Sequence, residues 1–147
     1  MTARLPTSAG TDGGVRAERW LRITAVVYAV AFVIHTGDHL RRGLGSSPWL
    51  VVLAGTLAGV AQVTAIAAVL TGRPWGARLA ALVGLVDAAG IALVHFVTAP
   101  SPVTDPVVGS AAADVQPATP LAVALEVAAA LAFGLAGLVS TRGRGSD

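Results

Sequence analysis

The sequence contains no cysteine, no lysine and a single methionine, which is the first residue. Without cysteine the chain can form no disulfide, no thiolate metal site, no iron–sulfur cluster and no covalently attached c-type haem. Without an internal methionine it lacks the thioether ligands that Cu(I) prefers. A metal or haem site would therefore have to use histidines and carboxylates. The all-arginine basic set, beside many alanines and glycines, indicates a bacterial genome rich in G and C.

Charged residues are scarce as well. They make up 12% of the chain, whereas soluble domains carry about 25%. Hydrophobic residues account for 54% of the sequence, and the mean hydropathy is +0.73. This composition argues against a water-soluble protein and predicts one that resides in the lipid bilayer. Because the arginines mostly flank the apolar runs and form no separate basic domain, we expect no nucleic-acid partner.

Four continuous apolar runs predict an all-α fold, a single four-helix transmembrane bundle. Each run is close to the roughly 20 residues that cross about 30 Å of hydrocarbon. Only a helix satisfies every backbone group within so short a segment. The predicted spans are about 20–40, 49–71, 76–99 and 120–141. The rest is predicted to be a disordered tail at 1–19, a Pro-rich outer loop at 100–119 and a short tail at 142–147.

The arginines predict the orientation of the bundle. If the four spans alternate, only Arg41 and Arg42 lie on one side of the membrane, and eight arginines lie on the other. Cytoplasmic segments carry the excess of basic residues. We therefore expect a multi-pass plasma-membrane protein with both termini in the cytoplasm. The loop would then lie outside. We expect its acids Asp105 and Asp114 to be solvated, and the alternative is that they contribute ligands to the site or attract cations. The eight arginines are Arg4, Arg16, Arg19, Arg22, Arg73, Arg78, Arg142 and Arg144.

Ionisable side chains inside the spans point to a functional site, because they are costly in lipid. With a rise of about 1.5 Å per residue, His35, His95 and Glu126 lie about 7–9 Å below the outer boundary, on three different spans. His39 follows His35 by one helical turn on the same face. We expect these four residues to bind Zn²⁺, Fe²⁺ or Mn²⁺, with Asp38 orienting one of the histidines.

Other interpretations of the same residues stay open. His35 and His95 could be the axial ligands of a single haem b, with Arg41 or Arg42 near its propionates. Glu126 could act as a general base beside a metal-bound water. The polar groups could also belong to a proton-coupled carrier component, or they could be structural pairs in a non-enzymatic accessory subunit.

A second polar level is predicted deeper in the membrane. Asp87 and Gln62 both lie about 20 Å from the outer face. A neutral Asp87 hydrogen-bonded to Gln62 would be a structural clasp between the second and third spans. Alternatively, Asp87 could begin a proton relay, because it lies within about 80° of His95 around the helix axis.

Small residues and overall layout add expectations about packing and relatives. A GxxxG motif at Gly55 and Gly59 predicts close helix contact in span two. The four short spans, with the polar stretch 35–42 closing the first, resemble small bacterial four-helix membrane proteins such as the DoxX-like group. That resemblance implies an architecture and no residue roles. The leading hypothesis is a small metal-binding membrane protein, an oxidoreductase or its subunit, in a homo-oligomer or a larger complex.

Reporter fusions test the predicted orientation. Alkaline phosphatase inserted within residues 101–110 should be active, because its disulfides form only outside the cytoplasm. The same enzyme fused after Asp147 should be inactive, and a fluorescent protein fused there should fluoresce. The reverse pattern would show that the arginine asymmetry does not set the orientation of this chain.

Overall fold

The computed structural model describes residues 9–99, 101–110 and 112–143, and these residues form helices, turns and loops without a strand. Four long helices account for most of them. A single turn of 3-10 helix, Leu44–Ser46, connects the first two. The helices are α1 (Ala9–Arg42), α2 (Trp49–Leu70), α3 (Gly76–Phe96) and α4 (Ala118–Gly143).

The first helix begins earlier than the sequence predicts. Residues 9–19, expected to belong to a disordered tail, form the first three turns of α1. This segment is supported by the Glu18–Arg22 ion pair at 2.6 Å, one helical turn apart. The Ser140 hydroxyl of α4 also donates a hydrogen bond to the carbonyl of Ala17. The rest of that predicted tail, residues 1–8, and residues 144–147 lie outside the described residues.

All four helices are long and apolar enough to cross a membrane. Large apolar side chains face outward, as shown by Val33, Leu57 and Leu93, each more than 60% exposed. The interior is built largely from alanine, together with a few polar groups. A soluble protein has the opposite distribution of large apolar side chains. The surface of this bundle is therefore suited to lipid contact.

The tightest packing joins α3 to α4 through glycines. A Cβ added at Gly84 would lie 2.6 Å from both the carbonyl oxygen of Ala130 and the backbone nitrogen of Gly134. The predicted GxxxG contact in α2 is formed only in part. Gly59 packs against the Phe32 ring, but Gly55 has open space where a Cβ would point.

Substitution of Gly84 tests this packing. Gly84→Ala should lower the free energy of unfolding by about 1–3 kcal/mol, because the new methyl group meets backbone atoms that cannot rotate away. Gly90→Ala, on the same helix, is the matched control because nothing lies within 4 Å of its added Cβ. The control should be neutral or stabilising by up to ~1 kcal/mol. Denaturant titration in detergent measures both, and equal effects would contradict the close α3–α4 contact.

Candidate metal centre

All three histidines of the protein converge at the end of the bundle where the loop between α3 and α4 lies. His35 and His39 come from α1, and His95 comes from the last turn of α3. The ring centroids of His35 and His39 are 4.7 Å apart, and those of His35 and His95 are 5.0 Å apart. The third pair, His39 and His95, is separated by 5.4 Å. One potential ligand nitrogen from each ring lies within 4.8 Å of the other two. We call these three residues the histidine cluster.

Glu126 orients the His35 ring through a hydrogen bond at Nδ1. Nδ1 of His35 is hydrogen-bonded to the Glu126 carboxylate, which projects from α4 and is almost fully buried. A carboxylate accepts hydrogen bonds, so the proton on the His35 ring belongs on Nδ1. In the neutral form of the ring, Nε2 then carries the lone pair. Nε2 of His35 is buried and has no hydrogen-bond partner. It is therefore available as a ligand atom.

The loop between α3 and α4, called the outer loop after its predicted side of the membrane, orients His95 in the same way. Nδ1 of His95 lies 2.9 Å from the carbonyl oxygen of Asp105. A carbonyl only accepts, so Nδ1 must be the donor and Nε2 must carry the lone pair. Two backbone hydrogen bonds fix the loop against α3, from Asp105 to Val94 at 2.9 Å and from Val107 to His95 at 3.0 Å. The tautomers of both buried histidines are thus determined by groups outside the cluster.

His39 is the most accessible member of the histidine cluster. It is partly exposed, whereas His35 and His95 are buried. It lies one turn from the end of α1, and its ring contacts both of the other imidazoles. Access from solvent to the cluster is therefore easiest beside His39.

The two predicted carboxylates of the site occupy different positions. The Glu126 carboxylate hydrogen-bonds to Nδ1 of His35. It therefore orients a potential ligand and is not itself one of the three grouped ligand atoms. The Asp38 side chain makes no hydrogen bond to a histidine in the part of the chain that the structure describes. Its Oδ1 accepts hydrogen bonds from Arg41 at 2.8 Å and from the hydroxyl of Thr119 at 3.2 Å. Asp38 therefore connects the end of α1 to the start of α4.

Arg42 fastens the outer loop, and this corrects the expectation that the loop acids are solvated. Its guanidinium forms a bidentate pair with Asp105, at 3.0 and 3.1 Å, and also reaches Asp114 at 2.8 Å. Burial alone would raise the pKa of Asp105, but hydrogen bonds from Arg42 and Ser47 outweigh it and hold the pKa below its usual range. The hydrogen bond from Arg42 likewise lowers the pKa of Asp114. Both acids are therefore ionised partners of one buried arginine.

A second polar cluster lies deeper in the bundle. The Tyr28 hydroxyl donates a hydrogen bond of 2.8 Å to Oδ2 of Asp87. Gln62 of α2 is also buried, and its Oε1 has no hydrogen-bond partner. Tyr28 thus joins Asp87 to α1, and the clasp between Asp87 and Gln62 stays a prediction.

The sequence interpretation missed three of these contributors. Tyr28 is the only tyrosine and precedes His35 by seven residues, two helical turns on one face. That spacing could have predicted that Tyr28 lies on the same face of α1 as His35, two turns deeper in the bundle. The ion pairs of Arg42 and the carbonyl of Asp105 gave no such signal, because they depend on the path of an irregular loop.

Neutralising Arg42 tests the fastening of the loop. Arg42→Gln should lower the free energy of unfolding by about 3–5 kcal/mol, because it leaves the buried Asp105 carboxylate without its countercharge. Arg41→Gln is the matched control, since Arg41 is 38% exposed and pairs with Asp38. The control should cost about 0.2–1 kcal/mol. Denaturant titration and limited proteolysis of the outer loop measure the difference, and equally protected loops in both variants would contradict it.

No protein-family model, curated protein or solved structure matches this chain. What the site does is therefore inferred from its own donor atoms. Three imidazoles in one small volume, two of them oriented by hydrogen bonds at Nδ1, form a group that could bind a metal ion.

Proposed function

We propose that this protein is a small membrane metalloprotein whose centre is the histidine cluster. The observation that carries this proposal is Nε2 of His35, a buried nitrogen without a hydrogen-bond partner beside two further imidazoles. An unsatisfied buried acceptor costs about 1–3 kcal/mol. A metal ion shared with His39 and His95 would offset that cost.

The hydrogen bonds at the Nδ1 atoms of His35 and His95 also support a metal centre. Histidines that bind metals usually donate their other ring N–H to a carboxylate or a backbone carbonyl, which orients the ring and increases its basicity. Glu126 supplies the carboxylate for His35, and Asp105 supplies the carbonyl for His95. The buried Glu126 also offsets part of the positive charge that an ion would bring.

The donor set favours Zn²⁺ or Fe²⁺ over Mn²⁺, since imidazole suits zinc and iron whereas Mn²⁺ prefers oxygen ligands. With bonds of about 2.0–2.1 Å, tetrahedral ligand nitrogens stand about 3.4 Å apart. The present ligand atoms lie within 4.8 Å of one another, so each pair would need to move closer by at most about 1.4 Å. Three protein ligands leave a fourth position for water or substrate. With iron, the centre would serve an oxidoreductase or its subunit, with Glu126 orienting His35.

A haem b fits the same residues less well. Axial histidines must stand on opposite faces of a porphyrin. Here the rings of His35 and His95 contact each other edge to face, with centroids 5.0 Å apart. The two predicted propionate partners, Arg41 and Arg42, are engaged with acids. A haem would therefore require α1 and α3 to separate.

The buried Tyr28–Asp87 hydrogen bond favours a second candidate, a proton-coupled carrier component. Asp87 lies well inside the span, and a carboxyl group there takes up and releases protons only through neighbouring polar groups. Asp87→Asn would then abolish the proton-dependent uptake of the carried substrate into proteoliposomes and would leave the metal content of the protein unchanged. The metal centre remains the leading proposal because its donors converge.

Metal analysis of the purified protein tests the leading proposal. Protein prepared without chelators and measured by elemental mass spectrometry should contain close to one zinc or iron ion per chain. The double variant His35→Ala and His95→Ala should contain none. Glu126→Gln should bind the ion about 10–100-fold more weakly, because it removes the carboxylate behind His35.

Asp38→Asn is the control, since Asp38 pairs with Arg41 and is not among the three grouped ligand residues. Its metal content should equal that of the wild-type chain. A wild-type protein that binds no metal on titration with zinc or iron would overturn the proposal. A Soret band in the purified protein would replace it with the haem alternative.

A further inference from the structure

A groove at the opposite end of the bundle combines positive charge with an apolar wall. It has a volume of about 670 Å³ and lies between the first half of α1 and the last residue of α2. Its lining contains two arginines, one acid and five apolar side chains. These residues are Val15, Glu18, Arg19, Arg22, Ile23, Val26, Val27 and Leu70.

The charged end of the groove carries an excess of positive charge. Arg22 pairs with Glu18, but both side chains are half exposed, so the pair is open to a competing anion. Arg19 makes no ion pair with any residue that the structure describes. Arg16 lies one helical turn before Arg19 and adds a further positive charge on the exposed side of α1. The charges at this end therefore suit an anion.

The apolar wall continues from the charged end toward the middle of the membrane. Ile23, Val26 and Val27 follow on α1, and all three are exposed. Leu70 closes the groove from α2. From Arg19 to Val27 the helix rises about 12 Å, which is comparable to the thickness of most of one hydrocarbon leaflet. Trp20 stands at the level where the two regions meet, as interfacial indoles do.

We propose that this groove binds an anionic phospholipid. The phosphate group lies at Arg19 and Arg22, and one acyl chain lies along Ile23, Val27 and Leu70. A free phosphate ion would use only the charged end and would leave the apolar wall uncovered. The sequence predicts that this end faces the cytoplasm, where basic segments meet the negative surface of the inner leaflet.

A second groove, at the histidine end, shows what distinguishes this one. It has a volume of about 440 Å³ and lies between α1 and α4, with Ile34, Leu121 and Leu125 in its wall. Its arginine, Arg41, is neutralised by Asp38 and also donates to the carbonyl of Asp114. Both grooves have an apolar wall, but of the two only the groove at Arg19 is lined by an arginine without an acidic partner among the described residues.

Lipid titration of the purified full chain tests this proposal. Binding of phosphatidylglycerol and of phosphatidylcholine to the delipidated protein in neutral detergent is measured by native mass spectrometry. Wild-type protein should bind phosphatidylglycerol at least tenfold more tightly than phosphatidylcholine. The double variant Arg19→Gln and Arg22→Gln should lose about 25-fold in affinity for phosphatidylglycerol, since each of the two arginines near an anionic lipid contributes about a factor of five.

Arg142→Gln is the matched control, because Arg142 is an exposed arginine at the same end of the bundle but outside the groove. It should change the affinity less than twofold. Thermal unfolding without lipid should change little in all variants, since these side chains are exposed and the Glu18–Arg22 pair is screened by solvent. Equal binding of the two lipids, an equal loss in Arg142→Gln, or saturation of the site by inorganic phosphate in competition with lipid would each overturn the proposal.

Discussion

The histidine cluster depends on hydrogen bonds at the Nδ1 atoms of two buried imidazoles. Glu126 on α4 holds His35, and the Asp105 carbonyl in the outer loop holds His95. Each bond fixes the tautomer of its ring and leaves Nε2 as the free acceptor. Without these bonds the rings could turn their N–H groups inward, and the cluster would present protons where a metal requires lone pairs.

These hydrogen bonds in turn need the helices and the loop to be held in place. Arg42 joins the end of α1 to two acids of the outer loop. Asp38 joins the same region of α1 to Thr119 at the start of α4. At the other end, α3 and α4 approach closely through glycine, where a side chain would collide with backbone. The buried polar groups are thus set within a bundle whose outer surface is apolar.

Part of the site could be predicted by counting residues along the spans. His35, His95 and Glu126 were expected at one depth, and in the structure both His95 and Glu126 contact His35. Which side chains hydrogen-bond to each other could not be predicted in the same way, because it depends on how each helix is rotated about its own axis. Asp38 contacts Arg41 and Thr119, whereas Glu126 takes the position behind His35. The ionised, buried state of Asp105 depends on the loop path that brings it to Arg42.

The sequence by itself determined the four apolar helices, since continuous runs of about 20 apolar residues have no other way to satisfy their backbone in lipid. It also limited the metal sites that the chain can form, because three histidines and a few acids are the strong metal ligands of a chain without cysteine. Only the tertiary structure decided which nitrogens are free to bind. That choice is made by hydrogen bonds between residues up to 91 positions apart in the chain, and no local pattern encodes them.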